Sequence, residues 1–101
     1  MSNLIVQKYG GTSLANTERF QAVADIIVAS IGSGDNVAVV VSAMAGETQR
    51  LIDLAKEIQS EPDPREFDAL VSSGEQVSAA LLAIALKLSL IHISEPTRPL
   101  Y

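Results

Sequence analysis

Val37-Ala38-Val39-Val40-Val41 is a continuous apolar run bounded by the turn signals Gly34-Asp35-Asn36 and Ser42-Ala43. It is too short for a helix and too β-branched to favour one. It reads as a strand with apolar side chains on both faces, the pattern of a parallel sheet covered on both sides. Leu4–Tyr9 reads as an earlier strand. Between the two, Asn16 can cap a helix, and Phe20, Val23, Ile27 and Ile31 recur at the spacing of one buried helical face. Gly32 and Gly34 close that helix, and Asp35-Asn36 turns the chain. Strand, helix, strand in this order implies a right-handed βαβ unit and an α/β fold. Both strands then end at one sheet edge, where α/β folds usually bind ligands.

Beyond the second strand, Ser42–Glu47 reads as a loop of small and polar residues, and Thr48 caps or begins a helix with Leu51, Leu54, Ala55 and Ile58 on one face. Glu61-Pro62-Asp63-Pro64 breaks it. Asp63 caps the next helix, with Pro64 at the first position and Glu66 at the third. Val71-Ser72-Ser73-Gly74 is expected to interrupt that helix. Ser73 with Gln76 then forms a second capping box, and Val77, Ala80, Leu81 and Ile84 are expected in the core.

With 101 residues, one small domain is expected. Its core must be aliphatic, because hydrophobic residues make up 48% of the chain and aromatics only 4%. A net charge of -5 without any Lys/Arg cluster argues against nucleic acid or an anionic membrane as partner. Cysteine is absent, so disulfides and thiolate metal sites are excluded. The N-terminal Met1-Ser2-Asn3 lacks the basic region of a signal peptide. The apolar run 79–86 is too short to span a bilayer. A soluble, cytoplasmic protein is expected.

Three polar stretches carry candidate chemistry. In Val6-Gln7-Lys8-Tyr9-Gly10-Gly11-Thr12-Ser13 a lysine and two glycines end a strand just before a helix. Backbone N–H groups at glycines and the positive end of a helix suit a phosphate, and Lys8 adds a full charge. In a Walker A loop the lysine follows the glycines; here it precedes them, so this is a different device. The plain alternative is a surface corner with a solvated lysine. The second stretch, Ser42–Thr48, is otherwise a loop. The third, Ser72-Ser73-Gly74-Glu75, is otherwise a helix N-terminus with a favourable acid in its first turn. No metal-ligand spacing or nucleophile–histidine pair is present. The single histidine, His92, has no partner pattern, and Met44 reads as packing.

Taken together, three segments resemble the N-terminal part of the aspartate kinases, of the amino-acid kinase superfamily: Val6–Ser13, Val40-Val41-Ser42-Ala43-Met44-Ala45-Gly46-Glu47-Thr48, and Ser72-Ser73-Gly74-Glu75-Gln76-Val77-Ser78. The resemblance covers residues 3–87. It implies a partial three-layer αβα sandwich and transfer of the ATP γ-phosphoryl group, with Mg2+, to the side-chain carboxylate of L-aspartate. The product, 4-phospho-L-aspartate, leads to lysine, threonine and methionine. Carried over by position, Lys8, Tyr9, Gly10 and Gly11 form the ATP side, with Lys8 catalytic. Thr48 and Glu75 contact aspartate, and Ser42 is a weaker candidate for the same pocket. The parent enzyme is expected to be a homo-oligomer.

The resemblance also has an edge. Later strands, an adenine-binding region and regulatory domains of the family have no counterpart in residues 1–87. Residues 88–101 resemble the translation of a transposon-derived sequencing adapter and are expected to be a non-native tail. Three other readings stay open: another amino-acid kinase, the kinase part of an aspartokinase–homoserine dehydrogenase fusion, and a non-catalytic nucleotide- or anion-binding module.

Overall fold

The computed structural model describes residues 3–94, with side chains to residue 90. Met1, Ser2, the His92 side chain and residues 95–101, including Pro96 and Pro99, lie outside the described residues. The order is β1 (Leu4–Gly11), a 3-10 turn (Thr12–Leu14), α1 (Thr17–Gly32), β2 (Asn36–Met44), α2 (Glu47–Ile58) and α3 (Pro64–Ser94).

β1 and β2 pair in parallel, with Leu4 opposite Asn36, Val6 opposite Ala38 and Lys8 opposite Val40. The α/β class and the parallel βαβ order follow the expectation. Helix starts do too. Asn16 accepts a hydrogen bond from Arg19 N at 3.0 Å, and Asp63 accepts one from Glu66 N at 3.1 Å. Both are local side-chain-to-backbone caps, satisfying donors that the helix leaves unpaired.

One face of the sheet carries the core. Tyr9, Val37, Val39 and Val41 pack against a buried cluster of Leu14, Phe20, Val23, Ala24, Ile27, Leu82 and Ala85, drawn from the 3-10 turn, α1 and α3. The other face is open among the described residues. Leu4 is 71% exposed, Val6 66% and Val40 50%. The expectation of a strand buried on both faces is therefore corrected: β2 alternates, because the helices cover only one side of it.

Other corrections have physical causes. Both strands run longer than expected, β1 through Gly10 and Gly11 and β2 through Ser42, Ala43 and Met44. Backbone pairing continues past the apolar positions. In α1, Ala24 and Val28 join the buried face, while Ile31 in the last turn is exposed. In α2 only Leu51 is buried; Leu54 is exposed and Ile58 is 90% exposed, since only the side of the helix that meets β2 and α3 is covered. Thr48 is inside α2, whose cap position is Gly46 at φ 78°.

The largest correction concerns α3. It is continuous over 31 residues and is not interrupted at Val71–Gly74. Ser72 and Ser73 donate back to the carbonyls of Ala69 and Leu70, at 3.1 and 2.6 Å, and so stay helical without capping anything. The buried face is Gly74, Ser78, Leu82, Ala85 and Ser89. Val77, Ala80 and Ile84, expected inside, are exposed, and Leu81 is half-buried. Small residues face inward because α3 lies close against β2 and α1. Ser89 there accepts a hydrogen bond from Gln21 Nε2 at 2.8 Å and donates one to Asp25 Oδ1 at 3.3 Å. By length and composition α3 could cross a membrane within residues 64–90, where its most apolar 18-residue stretch has a mean hydropathy of 1.5. In this fold its inward face is taken up by α1 and the sheet.

Candidate functional site

The C-terminal ends of β1 and β2 bring the first two motifs together. Between Tyr9 and Gly11 on β1 the partner strand advances from Val41 to Met44, so β2 carries one extra residue. Bulges of this kind re-aim side chains at sheet ends. The bulge lies where Gly10 meets Ser42. A Cβ on Gly10 would stand 2.7 Å from Ser42 Cβ and 2.8 Å from its Oγ. No side chain fits there, so glycine at position 10 and serine at position 42 are coupled. Gly11 has φ 55° and ψ -123°, a conformation that L side chains disfavour, and it turns the chain into the 3-10 segment.

Lys8 is exposed on the open face of the sheet and forms no ion pair among the described residues. Its ammonium is available to an anion. Tyr9 points the other way. Its ring packs on the core, and its hydroxyl donates to Gln7 Oε1 at 2.7 Å. Gln7 Nε2 in turn donates to Ser30 of α1 at 3.1 Å. Only the Tyr9 backbone can therefore face the same side as the Lys8 charge. Ser42 is half-buried against Gly10.

The third motif joins through α3. Gly74 is buried, and a Cβ there would lie 3.1 Å from Ala43 Cβ of β2 and 3.4 Å from Glu47 Cγ of α2. Thr48 follows Glu47, and Glu75 follows Gly74. Both are exposed and next to this contact. Glu75 sits in the interior of α3, more than two turns past Pro64. The dipole explanation for an acid at that position is therefore removed, since the effect is confined to the first turn.

Arg50 pairs with Glu47 at 2.6 Å at the start of α2. The Arg50 hydrogen bond holds the Glu47 carboxyl below its ordinary pKa; partial desolvation opposes this and the Arg50 charge adds to it. A depressed carboxylate stabilises the fold above its unfolded-state pKa, and that contribution is lost as pH falls through the lowered value. The pair is solvent-exposed, so the effect is small. Among the described residues no group of three or more His, Cys, Asp or Glu is placed to hold a metal ion.

Gly74, expected to interrupt the helix, is instead a contact point within it. Glycine inside a helix costs about 1 kcal/mol relative to alanine. Its place on one face with Ser78 and Ala85 was the available signal of close packing.

A parallel α/β unit thus carries a lysine before paired glycines at a strand end, with two further polar segments on the same corner. The chain belongs to the amino acid kinase family, whose sequence profile matches residues 3–95. It is 59% identical over 83 residues to an aspartate kinase of Stutzerimonas stutzeri, covering 82% of this chain and 20% of that protein. An aspartokinase of Pseudomonas aeruginosa is 57% identical, with the same coverage of both chains. The crystal structure of the aspartate kinase from Synechocystis superposes with a TM-score of 0.83 at 52% identity, over 85% of this chain and 15% of that one. The chain thus spans about a fifth of the length of the curated relatives it matches.

Proposed function

We propose that residues 3–87 are the N-terminal part of an aspartate kinase catalytic domain and furnish the phosphate side and much of the aspartate side of its site. The observation that carries this is the meeting of three motifs at one corner: Gly10 against Ser42, and Gly74 against Ala43 and Glu47. The similarity to bacterial aspartate kinases supports it.

The chemistry suits these residues. A substrate carboxylate has a reference pKa of about 3.9 and is ionised at neutral pH, so no general base is required. What is required is alignment and neutralisation of charge on the transferring group. Lys8 supplies positive charge on the open face. The backbone N–H groups of Gly10 and Gly11 offer hydrogen bonds to phosphate oxygens. ATP would supply the phosphoryl group, and Mg2+, if bound, would neutralise part of the phosphate charge. Glu75 pairs with the substrate ammonium, and Thr48 hydrogen-bonds its polar groups. Tyr9 contributes backbone, and Ser42 holds the glycine strand in place beside the pocket. The reading extends to a cytoplasmic, homo-oligomeric enzyme of lysine, threonine and methionine biosynthesis, without nucleic-acid or membrane partners. Similarity to the bacterial enzymes and a net charge of -5 support that extension.

The test uses an intact enzyme: the Stutzerimonas stutzeri aspartate kinase with its matched 83-residue segment replaced by that of this chain. In this chimera Glu75→Gln keeps the shape and removes the charge. Loss of a charge-assisted hydrogen bond is worth about 1.5–3 kcal/mol, so the aspartate KM should rise roughly ten- to a hundredfold. An unchanged aspartate saturation curve would remove Glu75 from the site.

We also propose that residues 88–101 are not native to this gene. Pairwise similarity to the relatives covers 83 residues, 82% of the chain, while the family profile runs on to residue 95 and so reaches into this stretch. An independent clone should diverge from this sequence after Lys87; an identical reading frame there would contradict the proposal.

A further inference from the structure

We infer that Gly74 is a positioning residue for aspartate binding: its missing side chain lets α3 close onto the corner of β2 and α2, and that closeness sets where Glu75 stands relative to Thr48. The inference rests on the aspartate kinase reading and goes beyond it, to a residue that touches neither substrate.

Three walls surround the Gly74 Cα. A Cβ there would lie 3.1 Å from Ala43 Cβ, 3.4 Å from Glu47 Cγ and 3.5 Å from Leu51 Cδ1. The first distance is tighter than an ordinary carbon contact. Ala43 is buried, and its Cβ is fixed to the β2 backbone, so it cannot rotate away. Leu51 is buried as well, and Glu47 is tied to Arg50. Relief for a side chain at position 74 must therefore come from α3 moving off the sheet. Glu75 is the next residue on that helix and moves with it. Thr48, in the first turn of α2, stays with the opposite wall. The separation between two groups that grip one small substrate then changes directly. Lys8 and Gly10 on β1 are not part of this contact and keep their geometry.

The test is made in the chimeric enzyme, with KM for aspartate and for ATP measured separately. Gly74→Ala should raise the aspartate KM roughly threefold and lower kcat, since the contact asks α3 to give by only a few tenths of an ångström and misplacement by about 1 Å can cost up to a hundredfold. The ATP KM should be unchanged. Ala43→Gly removes the nearest wall, so the Ala43→Gly/Gly74→Ala double variant should return the aspartate KM to that of Ala43→Gly alone. If Gly74→Ala does not fold, the last two variants are compared directly: equal aspartate KM values support the inference, and a higher one in the double variant overturns it. Equal rises in both KM values for Gly74→Ala, or absence of rescue, show a general packing role and overturn it too. Glu75→Gln separates the two levels. If that variant raises the aspartate KM while Gly74→Ala does not, positioning by Gly74 falls alone. If neither moves it, the aspartate-side reading falls as well.

Discussion

Lys8→Ala in the chimeric enzyme should lower kcat by roughly a hundred- to a thousandfold, the range seen when one preorganised charge-stabilising donor is removed. Aspartate binding should change far less. Lys8 stands on the open face of the sheet, opposite Val40, with no ion pair among the described residues. Its charge is uncommitted and stands two residues before Gly10 on the same strand. Such a charge matters most where negative charge is being redistributed, in the transition state, and less in the ground-state complex. The expected signature is a fall in kcat and in kcat/KM for aspartate by similar factors. Lys8→Arg tests the same point with charge kept and shape changed. Near-normal turnover in Lys8→Ala would return this lysine to an ordinary surface role.

The 101-residue chain made on its own should show no aspartate-dependent ADP release and should self-associate. Its two-stranded sheet presents Leu4, Val6 and Val40 to solvent on one face. Each strand also has one edge without a partner among the described residues. Open apolar faces and unpaired edges favour association through strand pairing. The α3 surface adds Val77, Ile84 and Leu88 to the exposed apolar area. A domain of this size is of limited stability even when its core is closed. Light scattering should rise with concentration, and thermal unfolding by circular dichroism should be broad. A soluble monomer that unfolds cooperatively and releases ADP only with aspartate present would contradict both halves of this expectation.

Some of this fold is legible in the sequence because its causes are local. Asn16 and Asp63 are short polar side chains placed just before apolar-periodic segments, and each caps its helix. The glycine pair that ends β1 marks the corner for a similarly local reason. The phase of α3 was not legible. Hydrophobicity ranks Val77 and Ile84 above Gly74 and Ser78, yet the small residues face the core. Where a helix must lie close to a sheet, the space available at the contact decides, and that is a tertiary quantity. The same holds for Ser42 and Ala43, whose place in β2 depends on a bulge opposite Gly10. The burial of β2 on one face only is likewise set by where the helices pack. Val40 has the same sequence character as Val39 and the opposite environment.

The initial rate of ADP release by the chimeric Stutzerimonas stutzeri enzyme, followed in a coupled assay with Mg-ATP across a series of aspartate concentrations, decides whether residues 3–87 form part of a kinase site. If residues 3–87 hold the phosphate and aspartate groups of an aspartate kinase, the rate should saturate with aspartate and approach that of the unaltered enzyme. A folded chimera that binds ATP but shows no dependence of ADP release on aspartate would contradict the claim and leave these residues as an anion-binding unit without the kinase chemistry.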